Sequence, residues 1–117
     1  MHLITTPIHL LFITENAICT NPEGKQLCKA VVDIDRKIMV IGAGMHVDEE
    51  GLLLDEESEQ SNLWGINLYP DQFGTETFIE FDSMINVRPL DGNRSRHVES
   101  KEIQEQIISV VTKLIHA

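Results

Sequence analysis

His46 and Asp48, one residue apart around Val47, are the side chains best suited to proton transfer in this chain. They pair an imidazole that titrates near neutral pH with a carboxylate able to orient it. Asp82, or Glu80 beside it, would supply a third group. Together, His46, Asp48 and Asp82 make a weak candidate set for hydrolysis or for binding a hard metal ion. The spacing argues against the metal: an i,i+2 pair shares a face only in a strand, and no second histidine stands at a matching ligand distance. A turn or capping role for Asp48, with His46 bonded to backbone, suits the spacing better. Ser83 follows Asp82 but lacks the Gly-x-Ser-x-Gly elbow of a hydrolase nucleophile, and alternation turns its side chain inward. Gly42-Ala43-Gly44 is too short to cradle a dinucleotide. Neither a metal nor another cofactor is expected.

A second chemistry is anion recognition. Arg88, Arg94 and Arg96, with Asn93, form the one basic island in a chain of nine basic and nineteen acidic residues, formal charge −10. Guanidinium forks hold carboxylates and phosphates through paired hydrogen bonds. Upstream, Asn67, Asp82 and Asn86 offer hydrogen bonds of fixed direction. Asn67, Asp82, Asn86, Arg88, Asn93, Arg94 and Arg96 thus make up a candidate surface for a small anionic ligand, with His46 near its rim. Two simpler explanations compete with it: a solvated sheet face, common in antiparallel sheets, and arginines paired with the chain's own acids. The excess negative charge repels nucleic acid and anionic lipid, so neither is expected as a partner.

These side chains need elements to position them. Residues 30–34 and 37–41 are rich in β-branched residues around Asp35-Arg36, the strongest hairpin signal in the chain. Asp48-Glu49-Glu50 before Leu52-Leu53-Leu54 reads as the acidic first turn of a short helix, with a buried strand as the alternative. In 63–69, Trp64, Ile66 and Leu68 share one face of a strand, and Gly65, Asn67 and Tyr69 the other. Period two runs through 77–88, placing Ile79, Phe81, Ser83, Ile85 and Val87 opposite Phe78, Glu80, Asp82, Met84, Asn86 and Arg88; a twelve-residue half-buried strand is expected unless Asp82-Ser83 introduces a bulge. Ser100 is the expected N-cap of a terminal helix with apolar positions Ile103, Ile107, Val110, Val111 and Leu114. The connection from 70 to 76 is too short for a crossover helix, which excludes a doubly wound parallel sheet. The expected architecture is α+β: one antiparallel sheet of four to five strands, covered by a C-terminal helix and a shorter helix, in one domain spanning 1–117.

The run 29–34, the block Leu63-Trp64-Gly65-Ile66-Asn67-Leu68-Tyr69-Pro70, the block 79–89 and Asn93-Arg94-Ser95-Arg96 resemble a family of small uncharacterised prokaryotic proteins known as a domain of unknown function. His46-Val47-Asp48 fits the His-x-Asp pair of that pattern. The resemblance covers roughly 28–116, whereas 1–27 departs from it, and it implies no activity.

Residues 1–7 have no basic leader, and the apolar run 8–13 is too short to span a bilayer, so a cytoplasmic setting is expected. Cys19 and Cys28 fit neither a redox nor a zinc motif and read as free thiols, with a disulfide as the alternative if the two ends of their loop lie side by side. Whether the protein is an enzyme stays open at this level. A ligand- or partner-binding module leads, ahead of a hydrolase or metal-dependent enzyme using His46, Asp48 and Asp82. A self-associating structural protein, a homo-oligomer through its polar sheet face, is the third reading.

Overall fold

The computed structural model describes all residues, 1–117. The chain opens on β1 (His2–Ile4), then β2 (Ile8–His9), α1 (Leu10–Glu15) and β3 (Cys19–Thr20), and enters the long strand β4 (Gln26–Asp33). β5 (Ile38–Ile41), α2 (His46–Asp55), β6 (Leu63–Leu68) and β7 (Ile79–Glu80) follow, and α3 (Lys101–Leu114) leads into β8 (Ile115–His116). The main sheet runs β1-β5-β4-β6-β7 with every neighbouring pair antiparallel. β3 lies along the start of β4, and β2 pairs in parallel with β8 as a separate two-stranded ribbon. This is the α+β class expected from the sequence, with the C-terminal helix and the shorter helix both present.

The hairpin forms where β-branched residues predicted it, with a four-residue connection. Asp33 and Ile38 are paired, and Asp33 Oδ1 accepts from the backbone N–H groups of Asp35 and Arg36, both at 2.9 Å. This Asx turn replaces the tight two-residue loop, and Lys37 closes it at φ 59°. α2 is the helical alternative of the 48–54 reading, starting two residues earlier at His46. α3 is capped as expected, with Ser100 Oγ accepting from Ile103 N–H at 3.2 Å.

Alternation in β4 and β6 divides the sheet into two faces. One face carries Ala30, Val32, Trp64, Ile66 and Leu68, and packs with Ile13 of α1 and Ile107, Val110, Val111 and Leu114 of α3. The other carries Val31, Val40 and Leu63 against Leu53 of α2. α2 leaves one end of that second face uncovered by apolar side chains. Lys29, Asn67 and Glu80 stand there in register on β4, β6 and β7.

The expected twelve-residue strand at 77–88 does not exist. Only Ile79–Glu80 joins the sheet, and Met84–Asn86 and Pro89–Asp91 are turns of 3₁₀ helix. The strand ends at Glu80, and Ser83 turns the chain away: its hydroxyl accepts from Ile85 N–H at 3.3 Å and caps the first of these turns. The apolar residues then part company. Ile79 and Phe81 pack into the α3-side core, Ile85 joins the α2-side cluster, and Val87 is exposed. Alternation therefore holds only up to the cap.

Candidate functional site

Past Ser83 the chain crosses β6 instead of pairing with it, and Gly65 is where it crosses. A Cβ on Gly65 would stand 2.5 Å from Ser83 Cβ and 2.6 Å from its Oγ, so only glycine permits this approach. The side chain of Asn86 then takes the place of a neighbouring strand. Its Oδ1 accepts from Gly65 N–H at 2.8 Å, and its Nδ2 donates to Gly65 O at 2.9 Å and to Arg96 O at 3.0 Å. Asn86 is 0% exposed.

Asn93 plays a similar part within the 86–99 loop. Its Nδ2 donates to the carbonyls of Asn86, Ser95 and His97 at 2.7–3.0 Å, and its Oδ1 accepts from Glu99 N–H at 2.9 Å. Arg88 donates to the carbonyls of Ile85 (3.2 Å), Gln60 (3.0 Å) and Leu63, and its guanidinium lies 4.2 Å over the Trp64 ring. Burial lowers its pKa from the usual arginine value. Asn86, Arg88 and Asn93 thus hold the loop to the sheet, and the hydrogen-bonding groups of Asn86 and Asn93 are all engaged.

The remaining expected residues gather at the uncovered end of the α2 face. Arg96 grips Asp82 with both arms of its fork, at 2.8 and 3.1 Å, and both side chains are about half exposed. Asn67 is 4% exposed and donates to Glu80 Oε1 at 2.9 Å and Asp82 O at 3.3 Å. Both partners only accept, which fixes the orientation of the amide; its Oδ1 is buried and has no partner. Tyr69 donates to the same Glu80 oxygen at 3.1 Å. Arg94 is exposed, and its backbone N–H is bonded to Glu99.

His46 opens α2 beside this group. Its Nε2 lies 2.7 Å from Ile66 O, and since a carbonyl only accepts, Nε2 carries the proton. Nδ1 keeps a lone pair with no partner in the chain. Burial pushes the imidazole pKa down to about 4, against a smaller upward pull from the Ile66 bond; Lys29, Asp82 and Arg96 are close enough to bias it further. The ring is neutral at pH 7. Asp48 does not join it: two residues on along a helix, it lies exposed on another side of α2. Ser83 is 1% exposed and serves as a cap. No group of three or more His, Cys, Asp or Glu side chains is placed to hold a metal ion.

Two residues absent from the sequence-derived set belong to this region. Lys29 projects from β4 in register with Asn67 and makes no ion pair. Glu49, one helical turn after His46, is fully buried, with Oε2 accepting from Ala43 N–H at 3.1 Å and Oε1 unpartnered. Burial pushes its carboxyl up to about 9, so it is protonated at neutral pH. The signal for Lys29 was a lone cation between the apolar residues Leu27-Cys28 and Ala30-Val31-Val32 of one strand. For Glu49 it was the i,i+3 step from His46, hidden by two flanking acids.

Fold and site together define a small α+β protein whose antiparallel sheet has one end left polar and bordered by a side-chain-stapled loop. Residues 8–114 match the family described as Protein of unknown function (DUF5674), and the chain belongs to that family. No curated protein and no solved structure matches it. No helix is long and apolar enough to cross a membrane.

Proposed function

We propose that this protein binds a small ligand at the uncovered end of the α2 face, through Lys29, His46, Asn67, Asp82 and Arg96, with Arg94 on the flanking loop. The observation that carries this reading is the neutral His46 with a bare Nδ1, beside an Asn67 oxygen that is buried and unpartnered. A buried polar atom without a partner costs about 1–3 kcal/mol, and a ligand donor reaching it would recover part of that. Lys29 and Arg96 supply positive charge at the same place, in a chain of net charge −10. The ligand that fits carries one carboxylate or phosphate for the cations and hydroxyl or amine donors for His46 and Asn67. The overall acidity supports a small solute over nucleic acid, and the two free thiols support a cytosolic setting.

A thermal-shift panel of small carboxylates, phosphate esters and amino acids tests the reading. A ligand at one hundred times its Kd stabilises the native state by about 2.7 kcal/mol. Lys29→Met should remove that shift while leaving the unliganded Tm nearly unchanged, because Lys29 makes no ion pair. A ligand whose shift survives both Lys29→Met and Arg96→Gln binds elsewhere and rules this site out.

A further inference from the structure

A cavity lies on the opposite side of β7 from the polar patch and has a different character. It is a cleft of about 460 Å³ between the 73–81 segment and α3. Phe73, Phe78 and Phe81 line one wall, and Ile108 and Val111 the other. The volume lies within the range of roughly 300–1,000 Å³ typical of small-ligand sites. Phe73 and Phe78 meet edge to face at 5.1 Å, which gives the wall a fixed shape.

Glu76 is the one charged residue on the lining, and it is exposed with no ion pair or hydrogen bond to any side chain. Phenylalanine rings present a negative face to a cation, and a carboxylate at the rim adds a full charge. The walls exclude an anion and reward an apolar body, and the net charge of −10 favours positive ligands further.

We propose that this cleft is a binding site for an apolar amine: an aromatic or branched hydrocarbon body bearing one ammonium or quaternary ammonium group. The hydrocarbon packs among the phenylalanines and Ile108, and the cation sits between the ring faces and Glu76. The site is independent of the polar patch and stands whether or not that patch binds anything.

The test uses the full chain and benzyltrimethylammonium as probe, with phenylacetate and benzyl alcohol as controls of similar shape. Amide resonances of 73–81 and 108–115 should shift with the ammonium probe and not with phenylacetate. Benzyl alcohol should bind at least about tenfold more weakly, and Glu76→Gln should cost the ammonium probe roughly the same factor. Asp35→Asn, on the distant hairpin turn, removes the same formal charge and should leave binding unchanged, which separates the rim carboxylate from general acidity. Ile108→Trp fills the cleft from a half-exposed position and should abolish the shifts while circular dichroism and Tm report a folded protein. Equal binding of all three probes, or no binding at all, overturns the proposal. So does a concentration-dependent dimer that disappears in Ile108→Trp, which would assign the cleft to a second copy of the chain.

Discussion

The polar residues between 80 and 96 divide into two groups that look alike in sequence and differ in use. Asn86, Arg88 and Asn93 point their donors at backbone carbonyls and hold an irregular loop against β6. Asp82 and Arg96 are half exposed, bind each other, and border an unpartnered Asn67 oxygen and the bare nitrogen of His46. Fixed hydrogen-bond directions are as useful for replacing a missing strand as for recognising a ligand. The two uses separate on where the partners come from: from the chain itself in the first group, and from outside it, on the reading proposed here, in the second.

That contrast can be broken most directly at Asn86. Asn86→Ala orphans the N–H and C=O of Gly65 and leaves the Arg96 carbonyl with Ser83 N–H alone, and should cost about 2–6 kcal/mol in urea unfolding. A loss under about 1 kcal/mol would mean that water replaces the amide and that the loop is not stapled there.

An effect of comparable size, spread over pH, belongs to Glu49. Its folded pKa near 9 lies above the ordinary 4.5, so its contribution is fully present below pH 4.5 and is lost as pH rises toward 9. Wild-type stability should fall across that window with a slope of up to about 1.4 kcal/mol per pH unit. Glu49→Gln should flatten the slope; denaturant melts from pH 5 to 9 that are parallel for the two proteins would disprove the buried acid.

His46 works in the opposite direction. Its pKa falls from 6.5 to about 4, so its contribution is present above pH 6.5 and is lost as pH drops through 4. A ¹⁵N-resolved NMR titration should find the Nε2-protonated neutral tautomer at pH 7 and a midpoint near 4. A midpoint at 6 or above would place the ring in solvent.

The smallest effect belongs to Arg96→Gln. An exposed ion pair contributes about 0–1 kcal/mol, so stability should barely change and should respond to salt. A loss comparable to that of Asn86→Ala would move Arg96 into the structural group.

Much of the fold was legible because periodicity reports burial directly. The β-branched runs flanking Asp35-Arg36 became β4 and β5, and the 3.6-residue spacing from Ile103 to Leu114 became α3 with Ser100 as its cap. The error at 77–88 has a specific cause. Period-two alternation continued by coincidence past Ser83, whose capping bond depends on a backbone turn that no pattern of polarity encodes. The candidate site inherited that error. Residues assigned to one strand face divided into loop staples and site residues, because parity past Ser83 carries no information about direction. Lys29 and Glu49 went unnoticed for a related reason: their environment is made by α2 folding over β4, a contact distant in sequence.

Gly65 carries a lesson for reading relatives of this chain. It adds no side-chain atom, yet Ser83, and with it Asp82 and Arg96, stands where it does because that atom is missing. A family member with alanine there could keep every polar residue of the patch and still present a different surface, since Ser83 would have to move by about 1 Å to reach ordinary contact. Transfer of a ligand from one member to another should therefore be conditioned on a glycine at this position as much as on the histidine, lysine and arginine.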